Sequence, residues 1–222
     1  MSTIRPGSLG QFRGKIGTVV VAKWRGIYTG RSTPGKSTKP ASKPQMDQRK
    51  KFGTISSFLK YFSKEIAVGW ASAKPKKTAM NEAVDYHFDH ALLGTYPEYQ
   101  FNYEALLISR GRGIIDGGFR PVAVATAEES VNISWVTSNS TSDITQPTDQ
   151  LTVVFFDENI RPGRFGVTVN ERIAERRELN VNVDVPFVMM GHPLHVYLFF
   201  VSEDGKLASR SEYLGIVTIF RS

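Results

Sequence analysis

Cysteine is absent from the 222 residues. That excludes disulfides, thiolate metal sites and a cysteine nucleophile, and it makes the chain indifferent to the redox state of its compartment. No run of about 18 apolar residues occurs, so no transmembrane helix is expected. The start, MSTIRPGSLGQFRGK, lacks the apolar segment of a signal peptide. Synthesis in the cytoplasm is therefore expected, with incorporation into a virion-like or released assembly left open. Histidine is scarce: His87, His90, His192 and His195 are all there is. Neither G-x-S-x-G nor H-E-x-x-H occurs, and no glycine-bounded loop carries paired carboxylates. The reading is a non-enzymatic protein without cofactor or metal.

Acid is almost missing from one stretch. Residues 1–77 hold 17 Lys/Arg against only Asp47 and Glu65, a net +15. The remaining residues hold 11 Lys/Arg against 19 Asp/Glu, a net −8, which together give the +7 of the whole chain. Such asymmetry implies two zones with different neighbours. A basic zone can meet nucleic acid, or it can meet the acidic zone of another copy. The rest of the composition, 41% hydrophobic and 22% charged, is that of a folded protein with a core.

The strongest periodic signal lies between Pro44 and Gly69. Phe52, Ile55, Leu59, Phe62 and Ile66 recur at steps of three and four, which predicts one amphipathic helix with a cationic back. Thr78 is a candidate N-cap for a second helix, Ala79 to Leu93, closed by Gly94. His87 and His90 with Asp89 could suggest a metal cluster, but no third convergent ligand accompanies them, so they are read as packing or capping residues. Upstream, the β-formers and glycines of residues 7–30 predict a hairpin or ribbon, Lys15–Lys23 and Gly26–Arg31. Gly35-Lys36-Ser37 is not a phosphate loop: no strand leads into it, and Lys39-Pro40 follows in place of a helix. Residues 31–45, rich in Pro, Ser, Thr and Lys, are read as an extended arm.

Beyond Tyr96 the helical period gives way to short β segments at sandwich spacing. They are Tyr99–Ser109, Val122–Thr126, Val131–Val136, Leu151–Asp157, Gly166–Asn170, Leu179–Val185, Leu194–Ser202 and Tyr213–Phe220. Val131, Ile133 and Trp135 alternate onto one face, as do His195, Tyr197, Phe199 and Val201. Trp135 is expected at the core centre and Tyr197 at the position of a structural tyrosine. The fold class is thus α+β: a basic β-ribbon with its arm and two helices over residues 1–98, then an antiparallel sandwich over residues 99–222. The sandwich resembles the fibronectin or immunoglobulin type, most of all in LHVYLFFVSEDGKLASRSEYLG.

Taken whole, the chain resembles a family of about 220-residue proteins of unknown function from Bacteroidota. GSLGQFRGKIGTVV, KWRGIYTGRSTP, QMDQRKKF, GTYPEYQFNYEALLISRG and VYLFFVSEDGKLASRSEYLG with IVTI carry the likeness. The resemblance implies no activity. A shorter one, from Trp24 to Phe58, is to phage structural proteins in which a Pro-rich arm precedes a helix.

The expectation is a structural protein that self-assembles, as a ring, filament or phage-like particle, through its basic N-terminal arm. The alternative is nucleic-acid binding by the basic half. Either contact is assigned to Arg13, Lys15, Lys23, Trp24, Arg25, Tyr28, Arg31, Lys36, Lys39, Lys43, Arg49 and Lys50. The partners expected are other copies of the chain, or nucleic acid; no small-molecule substrate is identified.

Overall fold

The computed structural model describes residues 2–3, 13–24, 26–35, 39–71, 77–111, 114–126, 129–136, 144–160 and 166–220. The chain divides into two compact units, Met1–Met46 with Lys74–Lys76, and Asp47–Ala73 with Lys77–Ser222. The sequence reading grouped the helices with the ribbon up to residue 98. In the structure they belong with the sandwich, because their apolar stripe is buried on one of its sheets.

The first unit is an antiparallel sheet of β1 (Ser2–Thr3), β2 (Gly14–Ile16), β3 (Val19–Trp24) and β4 (Ile27–Ser32), in the order β1-β4-β3-β2. The stretch expected as one strand from Lys15 to Lys23 is two. Gly17, at φ 56°, turns the chain between Ile16 and Val19, and glycine tolerates that left-handed conformation at no steric cost.

The arm expected over residues 31–45 is shorter, since β4 ends at Ser32 and α1 (Lys43–Leu59) starts in the last residues of the first unit. In the second unit α1 gives way to a 3₁₀ turn, Lys60–Phe62, and then to α2 (Ser63–Gly69). The single expected helix is therefore interrupted. A 3₁₀ turn places residues three apart over one another, so Leu59 and Phe62 both stay buried and Ile66 and Trp70 continue the stripe. Phe58 joins that stripe, whereas Phe52 is 55% exposed, since burial on α1 starts only at Ile55. The helix start is fixed by Ser42, whose N–H donates to Gln45 Oε1 at 3.1 Å.

The second predicted helix is α3 (Ala79–His90), capped as expected by Thr78, whose hydroxyl accepts the Asn81 N–H at 3.2 Å. It stops short of Leu93. Leu92–Thr95 is β5, paired with β6 (Glu98–Phe101), and Gly94 serves this hairpin, where an added Cβ would lie 2.7 Å from the Glu98 carbonyl. His87 is a core residue: Nδ1 lies 2.6 Å from the Ala83 carbonyl and Nε2 accepts the Leu107 N–H at 3.2 Å. With both nitrogens engaged, no lone pair is left for a metal.

The strand expected from Tyr99 to Ser109 ends at Phe101. A 3₁₀ turn, Tyr103–Ala105, follows, and residues 106–109 are buried without a ladder partner. Side chains satisfy part of this backbone, beside the Ser211 N–H that donates to the Ser109 carbonyl at 2.8 Å. Ser211 Oγ accepts the Ile108 N–H at 3.0 Å, and the Trp70 indole N–H donates to the Ile108 carbonyl at 3.0 Å.

The remaining strands are β7 (Phe119–Ala125), β8 (Ser130–Val136), β9 (Gln150–Asp157), β10 (Val167–Asn170), β11 (Asn180–Asp184), β12 (Pro193–Val201) and β13 (Glu212–Thr218). They form a three-stranded sheet, β11-β8-β7, and a four-stranded sheet, β10-β9-β12-β13. In sandwich lettering these are A-B-E facing C′-C-F-G, the fibronectin-like arrangement. β9 and β12 are buried along nearly their whole length, because the four-stranded sheet is covered on both faces. Leu151, Val153, Phe155, Val196, Leu198 and Phe200 meet Val131, Ile133 and Trp135 between the sheets. Val154, Phe156, Tyr197 and Phe199 meet the helices. Trp135 is buried as expected, with its indole N–H on the Arg176 carbonyl at 2.8 Å. Tyr197 ties the sheet to the 3₁₀ turn on the helix side, its O–H donating to the Tyr103 carbonyl at 2.8 Å.

Candidate functional site

The residues proposed from sequence fall in both units. In the first unit, register decides which of them share a face, since directly paired residues project together. Lys15, Val20 and Arg31 are paired across β2, β3 and β4, so Lys15 and Arg31 flank Val20 on one face. Lys23 pairs with Tyr28 on the other face, its ammonium 4.9 Å from the ring centroid. Arg13 is exposed, with a guanidinium nitrogen 3.5 Å from the Lys23 carbonyl. Lys39 and Lys43 are exposed. Arg49 and Lys50, exposed on α1, belong to the second unit. Trp24 ends β3; its side chain, Arg25 and Lys36 lie outside the described residues. The cations thus occupy both faces of a small sheet.

The first unit holds 11 Lys/Arg and not one Asp or Glu. No ion pair can form within it, and every ion pair among the described residues lies in the second unit, which holds 17 Lys/Arg against 21 Asp/Glu.

The second unit carries a feature the sequence reading missed. An open cleft of about 440 Å³ is lined by Phe58 of α1 and Tyr61 of the 3₁₀ turn after it, Phe101 and Tyr103, and Phe156 and Glu158. Phe58 and Phe156 form its floor, packed edge to face at 5.2 Å and almost fully buried. Phe101 lies 4.8 Å from Phe58, and Tyr103 lies 5.6 Å from Phe156. Tyr103 is fixed three times. Its O–H donates to Glu158 Oε2 at 3.0 Å, its carbonyl accepts from Tyr197, and its ring stacks on His195 at 3.7 Å. Burial, with the Glu158 hydrogen bond second, raises the Tyr103 phenol above its ordinary range, so it stays a donor.

A bulge builds the back of this site. Pairing between β12 and β13 steps from His195–Ile216 to Tyr197–Tyr213, and Gly215, at φ 93°, absorbs the extra residue. The shift brings the Tyr213 hydroxyl to 2.8 Å from His195 Nδ1. His195 is 3% exposed, and burial holds its pKa below the usual value although Glu158 and Asp157 pull it up. Its Nε2 is buried without a hydrogen-bond partner among the described residues. Beside it, buried Asp157 accepts the Asn159 N–H at 2.8 Å and contacts His192 Nδ1 at 2.5 Å.

A smaller cavity of about 150 Å³ is lined by Lys64, Glu65, Glu171 and Arg172 among others. Both signs of charge line it, and Lys64 already pairs with Glu171 at 3.7 Å. The aromatic cleft differs: its one carboxylate, Glu158, is exposed and in no ion pair among the described residues. Ring faces and a carboxylate together can hold a cation. No helix among the described residues is long and apolar enough to cross a membrane.

No curated protein is similar enough to the chain to count as a relative. The family match is nearly end to end, over residues 11–215 of 222: the chain belongs to DUF6266, a family of unknown function.

Proposed function

We propose that the chain is a non-catalytic structural protein that assembles with copies of itself, its cation-only N-terminal unit meeting the carboxylates of a neighbour. The observation that carries this is the absence of any Asp or Glu from a compact unit with 11 Lys/Arg. Such a unit finds its counter-charge outside itself, and the second unit carries an excess of carboxylates. A contact between unlike surfaces is heterologous, so it propagates into a ring, a filament or a virion-like particle, whereas an isologous contact ends at a dimer. Nucleic acid is the second reading, favoured by cations on both faces of the sheet and by the Lys23–Tyr28 pair, since backbone phosphates need charge and bases need ring faces.

Deleting residues 1–45 tests the proposal. Both hydrophobic cores are composed of residues from Ile55 onward, so the truncated chain keeps them. Light scattering and electron microscopy at low salt are expected to show assemblies for the full chain and monomers for the truncation. A full chain that is monomeric at tens of micromolar removes the proposal.

A further inference from the structure

We infer that the aromatic cleft is the receptor for the N-terminal unit of a second copy, and that it takes lysine side chains from the arm, residues 31–45. This rests on the self-assembly reading and names the place where one copy grips the next. An aromatic ring carries a negative quadrupole over its face, so a box of rings favours an ammonium group with an apolar stem. Lysine has that shape: the stem lies along the rings while the head reaches a carboxylate.

The rings alone would accept any apolar guest. What selects a cation is Glu158. It stands at the cleft, exposed, with one oxygen held by the Tyr103 O–H at 3.0 Å, and no cation is paired to it among the described residues. Glu104 adds to the field: its charge and that of Glu158 both raise the Tyr213 phenol, after burial. Among the described residues, Lys60 lies over a lining ring, 5.1 Å from the centroid of Tyr61. The second copy supplies the complementary charge. Its N-terminal unit has no carboxylate of its own, and its Lys39 and Lys43 are exposed and in no ion pair among the described residues. Lys39 precedes Pro40, which biases it to extended backbone, so little conformational freedom is lost on docking.

The test uses a fluorescein-labelled peptide of residues 31–45, titrated with the full-length protein by anisotropy at low salt. Saturable binding is expected, abolished when the three lysines of the peptide are replaced by glutamine. Glu158→Gln keeps the acceptor for Tyr103 and removes only charge, and Phe101→Leu keeps apolar volume and removes the ring face. Each is expected to weaken binding by about tenfold, with urea midpoints confirming that both variants are folded. No binding to the wild type overturns the inference, as does equal binding by wild type and both variants. Capture of tetramethylammonium without capture of the peptide also overturns it, since the guest is then a small cation. Self-association is read separately by light scattering. If Glu158→Gln and Phe101→Leu assemble as well as the wild type and bind the peptide as well, the cleft is not the seat of assembly and the assembly reading stands. If the full chain is monomeric, it is the assembly reading that fails.

Discussion

Two glycines in the helical segment give opposite answers to one substitution. Replacing a helical glycine by alanine reduces the freedom of the unfolded chain and stabilises by about 0.5–1 kcal/mol, wherever the methyl has room. Gly53 in α1 has nothing within 4 Å of an added Cβ, so Gly53→Ala is expected to gain that amount. Gly69 closes α2 against residue 109: a Cβ there would sit 2.3 Å from Ser109 Oγ and 2.8 Å from Ser109 Cα. Ordinary carbon contacts lie at about 3.5–4.0 Å. Ser109 has little freedom to yield. Its hydroxyl donates to the Ser209 carbonyl at 2.6 Å, and its own carbonyl accepts the Ser211 N–H at 2.8 Å. Overpacking of this kind costs about 1–3 kcal/mol, which exceeds the helical gain. Urea unfolding followed by tryptophan fluorescence should therefore move to higher midpoint for Gly53→Ala and to lower midpoint for Gly69→Ala. Adding Ser109→Gly to Gly69→Ala should recover only part of the loss, because the backbone Cα remains in the way. If both alanines stabilise alike, the close approach of α2 to residue 109 is wrong.

Further expectations follow from the cores and the basic unit. Trp135→Ala removes the ring that packs against Phe200 at 5.6 Å and should cost about 3–5 kcal/mol by urea denaturation; a cost under about 1 kcal/mol would contradict its burial. His87 has its pKa lowered to about 4, mainly by burial, from 6.5. The unfolded chain therefore binds the extra proton, and stability should fall as pH drops from 6.5 to 4, by up to about 3 kcal/mol. Burial lowers His195 in the same direction and raises Glu65, Asp149 and Glu212 in the opposite one, so the comparison is between wild type and His87→Gln; identical slopes over this range would refute the assignment. For the nucleic-acid reading, fluorescent single- and double-stranded DNA should bind at 50 mM salt and lose about 10³-fold or more in affinity by 200 mM if six or more phosphates are neutralised. No binding at 50 mM removes that reading.

The sandwich strands were legible because each is short, alternating and bounded by turn residues; those from Phe119 to Thr218 fall within a few residues of their expected places. Helix starts were legible where a side chain caps them, as at Thr78. Three features were not. The assignment of Tyr197 and Phe199 to the helix side depends on a second layer covering β12, and period-two alternation cannot say which face meets what. The segment after Phe101 has strand composition, yet its backbone is satisfied by Ser211 Oγ and His87 Nε2, partners distant in sequence. The cleft unites Phe58 and Tyr61 with Phe101 and Tyr103 and with Phe156 and Glu158. Each pair is close in sequence, but only the packing of the helical segment against the sheet brings the three together. The basic site was legible as charge, whereas its division between the two faces of the β1-β4-β3-β2 sheet required the register.

The most direct test of self-assembly through the acid-free unit is sedimentation velocity on nuclease-treated full-length protein at tens of micromolar, first near 50 mM and then near 500 mM salt. At low salt, where the screening length is about 14 Å or more, species heavier than one chain are expected; at high salt, where it falls to about 4–5 Å, they should return towards the single chain. A single species with the mass of one chain at both salts would contradict the account.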